Sequence, residues 1–248
     1  MSVALLVLML AQQPRLISGH VDPVAGGGSL AQQVRGSQGP AWVGYTVDVV
    51  PVQRGCFGAD GSDFTETAFL EGERTANILF RVDKGEVEKI RVVSSSCQLD
   101  IAGLTLHWLT GVRGADSVSF LRSLPMRNAI SAIGAHADAS AETFLRETAE
   151  STKAVRSDRE RAAHSLAANR GPAGLAVVLR LLEMDGDEKF RESLPGAIAA
   201  APSNAGTLPL IGIATKDKNR KARERAFFWL GRSKDGRAQK FVEQILAK

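Results

Sequence analysis

Three stretches of this chain align on one another: Arg159-Glu-Arg-Ala-Ala-His-Ser-Leu166, Arg191-Glu-Ser-Leu-Pro-Gly-Ala-Ile198 and Arg223-Glu-Arg-Ala-Phe-Phe-Trp-Leu230. Each opens on Arg-Glu and closes on a large aliphatic residue, and the closing residues fall 32 apart. A fainter copy, Met126-Arg-Asn-Ala-Ile-Ser-Ala-Ile133, precedes them by 33. A constant period of this size marks stacked repeats. The pairs Ala129/Ile133, Ala162/Leu166, Leu194/Ile198 and Ala226/Leu230 are spaced i,i+4, which places each pair on one helix face.

A second apolar run follows each copy: Thr143–Ala149, Leu175–Leu182, Thr207–Ile213 and Ala238–Leu246. Turn residues separate the two runs, as in Asn169-Arg-Gly-Pro172, Ala201-Pro-Ser-Asn204 and Lys234-Asp-Gly236. The unit is therefore two antiparallel helices, neither of which buries its apolar face alone. Pro195 and Pro209 fall inside these helices and are expected to kink or shorten them. Arg159, Arg191 and Arg223 recur in register with Glu160, Glu192 and Glu224, which is read as a ladder of ion pairs between neighbouring repeats.

The Arg-Glu-x-Ala-x-x-x-Leu helix and the Phe227-Phe-Trp-Leu-Gly231 ending resemble the HEAT repeat family. The likeness is to its short-period bacterial form, found in phycobilin-lyase-type and secreted proteins. It covers roughly residues 117–248 and implies an α-solenoid of about four HEAT-like helix pairs. The period is shorter than the general range of about 40–47 residues for that family.

Ahead of the repeats the pattern changes. Residues 1–11 carry a short apolar run, Ser2–Ala11, with the length of a signal-peptide core and no Lys or Arg before it. It reads as a possible signal peptide, or else as a core segment. Residues 12–40 are rich in Gly, Gln, Ser and Pro and read as a flexible linker. From Ala41 the residues alternate and become β-branched: Trp42–Val52, Ile78–Val82, Val87–Val93, Cys97–Ile101 and Leu104–Leu109. Asp83-Lys-Gly-Glu86 between two of these runs signals a hairpin. The expected fold class is α+β, a small N-terminal β domain at 41–112 followed by the α-solenoid at 117–248. The Cys-x-Leu-Asp…Trp-Leu run before the repeats is similar to one in the secreted HEAT proteins.

Cys56 and Cys97 both fall in the β domain. In an exported protein two cysteines read as one disulfide, and in a cytosolic one as two buried thiols. Secretion or a periplasmic location is the preferred reading and cytoplasm the alternative.

The search for chemistry yields little. His20, His107, His136 and His164 are scattered without metal-ligand spacing, and no nucleophile elbow or phosphate loop is present. No catalytic residue, metal or cofactor is expected. The net charge is +4, with a pI near 9.3, which permits an acidic partner without requiring one. The basic run Lys216–Arg225 is interrupted by Asp217 and Glu224 and holds no aromatic to stack bases, so a solvated loop and first helical turn are preferred to a nucleic-acid site.

Aligning the copies gives two columns between the core positions. One is Asn128, Arg161, Ser193, Arg225, and the other is Ser131, His164, Gly196, Phe228. Arg161, His164, Arg225 and Phe228 are the candidate partner-binding residues, with Phe228 as an apolar anchor and the arginines as donors to acidic groups. The alternative for Phe228 is packing as an end cap. The expected function is a non-enzymatic scaffold or adaptor of the cell envelope that binds another protein, without nucleic acid or a membrane span. A lyase-like enzyme and a cytosolic nucleic-acid binder are the alternatives.

Overall fold

The computed structural model describes residues 13–24, 29–51, 74–125 and 127–247. It divides into two compact units, one up to Phe120 and one from Leu121 onward.

The first unit is built on one mixed five-stranded sheet. Its strands are β1 (Arg15–Val24), β2 (Ala41–Asp48), β3 (Thr75–Asp83), β4 (Glu86–Ser94) and β5 (Gln98–Leu109), in the order β1-β5-β2-β3-β4. β5 runs parallel to both β1 and β2, while β2–β3 and β3–β4 are antiparallel. The β3–β4 turn is the expected hairpin, with Lys84 and Gly85 at φ 50° and 76°. Two successive positive φ values give the turn twist that matches the strands. Helix α1 (Leu30–Arg35) lies between β1 and β2 in sequence. Ser29 and Gln32 close its first turn as a reciprocal capping box, which satisfies two otherwise orphaned amides.

The central strands β2 and β3 are buried on both faces. On one, Trp42, Leu79, Leu106 and Trp108 form a cluster with Val93, Cys97, Leu99 and Ile101. On the other, the Tyr45 and Phe80 rings lie 5.9 Å apart, and Phe80 meets Phe120 edge-on at 5.3 Å. Helix α2 (Gly114–Arg122) supplies Phe120 and also Ser117, whose hydroxyl lies 2.6 Å from the Tyr45 phenol. Burial pushes the Tyr45 pKa up, so the phenol stays neutral.

This arrangement corrects the expected fold class. The strands do not form a small N-terminal β unit that begins at Ala41, and the rest is not a pure solenoid of HEAT-like pairs. A mixed five-stranded sheet spans Arg15 to Leu109, with α1 between its first two strands and nine further α-helices after it among the described residues. The stretch 12–40, expected to be a linker, contains β1 and α1. Its Gly19 and Pro23 interrupt the alternation by which a strand is recognised, and β1 takes its order from pairing with β5 about 80 residues away. The apolar run at 2–11 lies outside the described residues. So does Cys56, and with it the pairing proposed for Cys97, which is buried in the sheet cluster.

The second unit is helical. Its helices are α3 (Arg127–Ala135), α4 (Ala139–Glu150), α5 (Arg156–Asn169), α6 (Gly171–Met184), α7 (Glu188–Ala199), α8 (Thr207–Lys216), α9 (Arg220–Arg232) and α10 (Gly236–Leu246), with a 3-10 turn at Pro202–Asn204. α5 packs on α3, α4, α6 and α7, and α7 packs on α9. Leu166, Ile198 and Leu230 are 0%, 0% and 1% exposed, and Ala129/Ile133, Ala162, Leu194 and Ala226 are buried with them. Asp138, Asp187, Asn219 and Asp235 cap α4, α7, α9 and α10, each accepting from amides of the first turn.

Two glycines let the paired helices meet. A Cβ on Gly174 would sit 2.0 Å from the Leu166 carbonyl oxygen, and one on Gly206 would sit 2.0 Å from that of Ile198. The prolines interrupt neither helix. Pro195 is buried within an unbroken α7. Pro209 falls in the first turn of α8, where amides have no helical acceptor and proline is tolerated.

Candidate functional site

The recurring arginines do not form the expected ladder with the recurring glutamates. Arg159 Nε donates to the Ala149 carbonyl at 3.1 Å, Arg191 Nε to Leu182 at 2.6 Å, and an Arg223 Nη to Asp217 at 2.7 Å. Each acceptor lies at the carboxyl end of the preceding helix, α4, α6 or α8. Those carbonyls lack amide partners and carry the negative end of the helix dipole, so a guanidinium satisfies them. Arg159 is also paired with Asp185 and stacked over the Phe190 ring at 3.9 Å. The glutamates go elsewhere: Glu192 to Lys189 and Asn219, and Glu224 to Arg220. The basic run at 216–225 is the end of α8, a loop and the first turns of α9.

The two columns lie on α3, α5, α7 and α9. On α5, Arg161 donates to the Ser157 carbonyl at 2.8 Å and lies 3.7 Å from Asp158, so its charge is largely engaged. His164, one turn along, is exposed on the surface. Asn128 and Ser131 are exposed on α3, and Ser193 donates to the Phe190 carbonyl at 2.7 Å. The column therefore does not act as one continuous row, because α7 lies between the pair on α5 and the pair on α9 and presents only Ser193 and Gly196.

On α9 the positions converge. Arg225, Phe228 and Arg232 are spaced i, i+3, i+7 and share one face. Phe228 is 56% exposed, so it does not pack as a buried end cap. Its ring meets Trp229 edge-on at 5.4 Å, and the Arg232 guanidinium lies 5.6 Å from its centroid. Trp229 reaches back toward α7, with its indole nitrogen 3.3 Å from where a Cβ on Gly196 would be.

Beside this stripe lies an open groove of about 290 Å³ between the Pro202–Asn204 turn and the end of α9. Trp229, Arg232 and Lys234 line it, with Thr207 and Asn204 opposite. Arg232, Trp229 and Lys234 do not stand out in the sequence columns. The signal that points to them is the aromatic run Phe227-Phe-Trp229 followed by cations at Arg232 and Lys234.

The histidines offer no assembled chemistry. His107 Nδ1 lies 3.0 Å from Asp22 across β1 and β5, and the buried His136 binds the Ala132 carbonyl at 2.8 Å. No group of three His, Cys, Asp or Glu side chains able to hold a metal occurs among the described residues. No helix among them is long and apolar enough to cross a membrane. No family model matches this chain, and no curated protein matches it.

Proposed function

We propose that the chain is a non-catalytic binding module of the cell envelope that holds another protein against the exposed face of α9. The observation that carries this reading concerns the arginines of the helical unit. Those at 146, 156, 159, 161, 170, 180, 191, 220, 223 and 237 each donate to a carboxylate or a carbonyl. Among the described residues Arg225 and Arg232 do neither, as is also true of Arg122, which lies over the Phe144 ring, and Arg225 and Arg232 flank the exposed Phe228. Large aromatics and arginines are the residues that dominate protein interfaces when a partner desolvates them. An exposed Phe between two guanidiniums that donate to no described residue offers an apolar anchor with charge-assisted donors on both sides.

The test is a double substitution, Arg225→Glu with Phe228→Ser. Both side chains are exposed, so the protein is expected to keep its helical circular dichroism and melting temperature. Partner recovered by cross-linking in the organism's own envelope fraction is expected to disappear. Unchanged recovery with a folded variant refutes the reading.

A further inference from the structure

The groove beside α9 narrows the chemistry of that partner, and the inference rests on the protein-binding reading of α9. We propose that the groove between the Pro202–Asn204 turn and the end of α9 receives an acidic segment of the partner polypeptide. A carboxylate lies between Arg232 and Lys234, and the neighbouring apolar side chain rests on Phe228 and Trp229.

Charge complementarity carries the argument. Arg232 and Lys234 both line the groove. Neither has a hydrogen bond or ion pair to a described residue, and the Arg232 guanidinium lies 5.6 Å from the Phe228 ring centroid. The acid nearest in sequence, Asp235, is already taken: Arg237 binds it at 2.7 Å, and its side chain is 8% exposed. Arg237 also donates to the Asn204 carbonyl at 3.1 Å, so that rim acceptor is occupied too. The groove therefore presents positive charge with no internal counter-charge. Its walls are not purely polar, since Ala199, Leu210 and Leu230 contribute as well. A bare anion would leave the aromatic and aliphatic lining uncovered, whereas a carboxylate side chain beside an apolar one covers both.

The probe is a short fluorescent peptide in which glutamates flank a Leu and a Phe, titrated into the full chain by anisotropy. Companion peptides carry Gln for each Glu, or Ser for Leu and Phe. The acidic apolar peptide is expected to bind, and each companion to bind about tenfold more weakly or worse. Arg232→Glu with Lys234→Glu is expected to weaken binding by about tenfold or more. The charge-keeping pair Arg232→Lys with Lys234→Arg retains most of it, and Lys240→Glu on α10 has no effect. Equal affinity of the double-Glu variant overturns the proposal. So does a single-stranded oligonucleotide or an anionic phosphatidylserine vesicle that outcompetes the peptide, or equal binding of the Ser companion. If the peptide fails to bind while Arg225→Glu with Phe228→Ser still abolishes partner recovery, the groove assignment falls and the binding face stands. If partner recovery also survives, both fall.

Discussion

Replacing Arg159 by leucine tests the energetic core of the helical unit. The guanidinium is buried at 2% exposure and has three partners: the Asp185 carboxylate, the Ala149 carbonyl at 3.1 Å and the Phe190 ring at 3.9 Å. Leucine removes all three and keeps much of the volume. It leaves Asp185, whose side chain is 5% exposed, with its Asp187 amide contact at 2.8 Å and no counter-ion. Leaving one member of a buried pair uncompensated costs about 3–5 kcal/mol. That translates into a melting temperature lower by roughly 6–20 °C. The Arg156–Asp187 pair is the internal control. It lies one helical turn away at 2.9 Å with side chains 50% and 30% exposed, so Arg156→Ala is expected to cost about 1 kcal/mol or less. Urea unfolding followed at 222 nm measures both. The double variant Arg159→Leu with Asp185→Leu should recover much of the loss, because an apolar replacement of a whole buried pair is often close to neutral. An Arg159→Leu midpoint no lower than that of Arg156→Ala refutes the account.

Leu166→Ala is expected to destabilise by about 2–5 kcal/mol, since its side chain is fully buried, and an unshifted denaturation midpoint would contradict the repeat alignment. Cys56 and Cys97 are expected to be bonded in the folded protein, closing a loop of about 40 residues that adds roughly 3–4 kcal/mol; alkylation of both thiols in the folded, unreduced protein would rule this out. The helix-capping aspartates give a pH signature. The Asp138 carboxyl is held below the usual 3.8 by its bond from Ser140, Asp187 by Arg156 and Asp235 by Arg237. In the unfolded chain these groups take up protons near pH 3.8, before the folded protein does, so their stabilisation is present above that pH and is lost as pH falls toward the depressed folded values. Changing all three to Asn, which still caps, should flatten the stability profile below about pH 4, and an unchanged slope in acid urea titrations would count against these contacts.

The parts of this structure that are local in sequence were legible, and the parts set by distant partners were not. The burial of Leu166, Ile198 and Leu230 follows from a constant period and i,i+4 spacing, and the Lys84-Gly85 turn follows from a short dipeptide signal. β1 was hidden because Gly19 and Pro23 break its alternation and its ladder is completed by β5. The arginine column was visible as a recurrence, yet a sequence does not distinguish a carboxylate acceptor from a backbone carbonyl. The equivalence of Arg161 and Arg225 in the alignment likewise concealed their difference: one is engaged by its own helix and the other is unengaged. The groove depends on the turn at Pro202–Asn204, where Ser203 and Asn204 adopt φ of 56°, a backbone feature with no periodic trace.

The arginine clamps at Ala149, Leu182 and Asp217 have a consequence for how freely the chain can vary. Their acceptors are main-chain oxygens, which no substitution removes. At Arg191 and Arg223, joining one hairpin to the helix before it therefore asks for a single retained side chain, whereas an arginine–glutamate ladder would ask for two that change in concert; Arg159 alone adds a carboxylate partner, Asp185. The loops that follow the acceptors, including Thr152, Gly186 and Lys218, are left open to drift in composition. Such drift alters surface character hairpin by hairpin without loosening the joints, and it leaves α9 free to acquire an unengaged Arg225 and an exposed Phe228 while Arg223 keeps its hold on the α8 terminus.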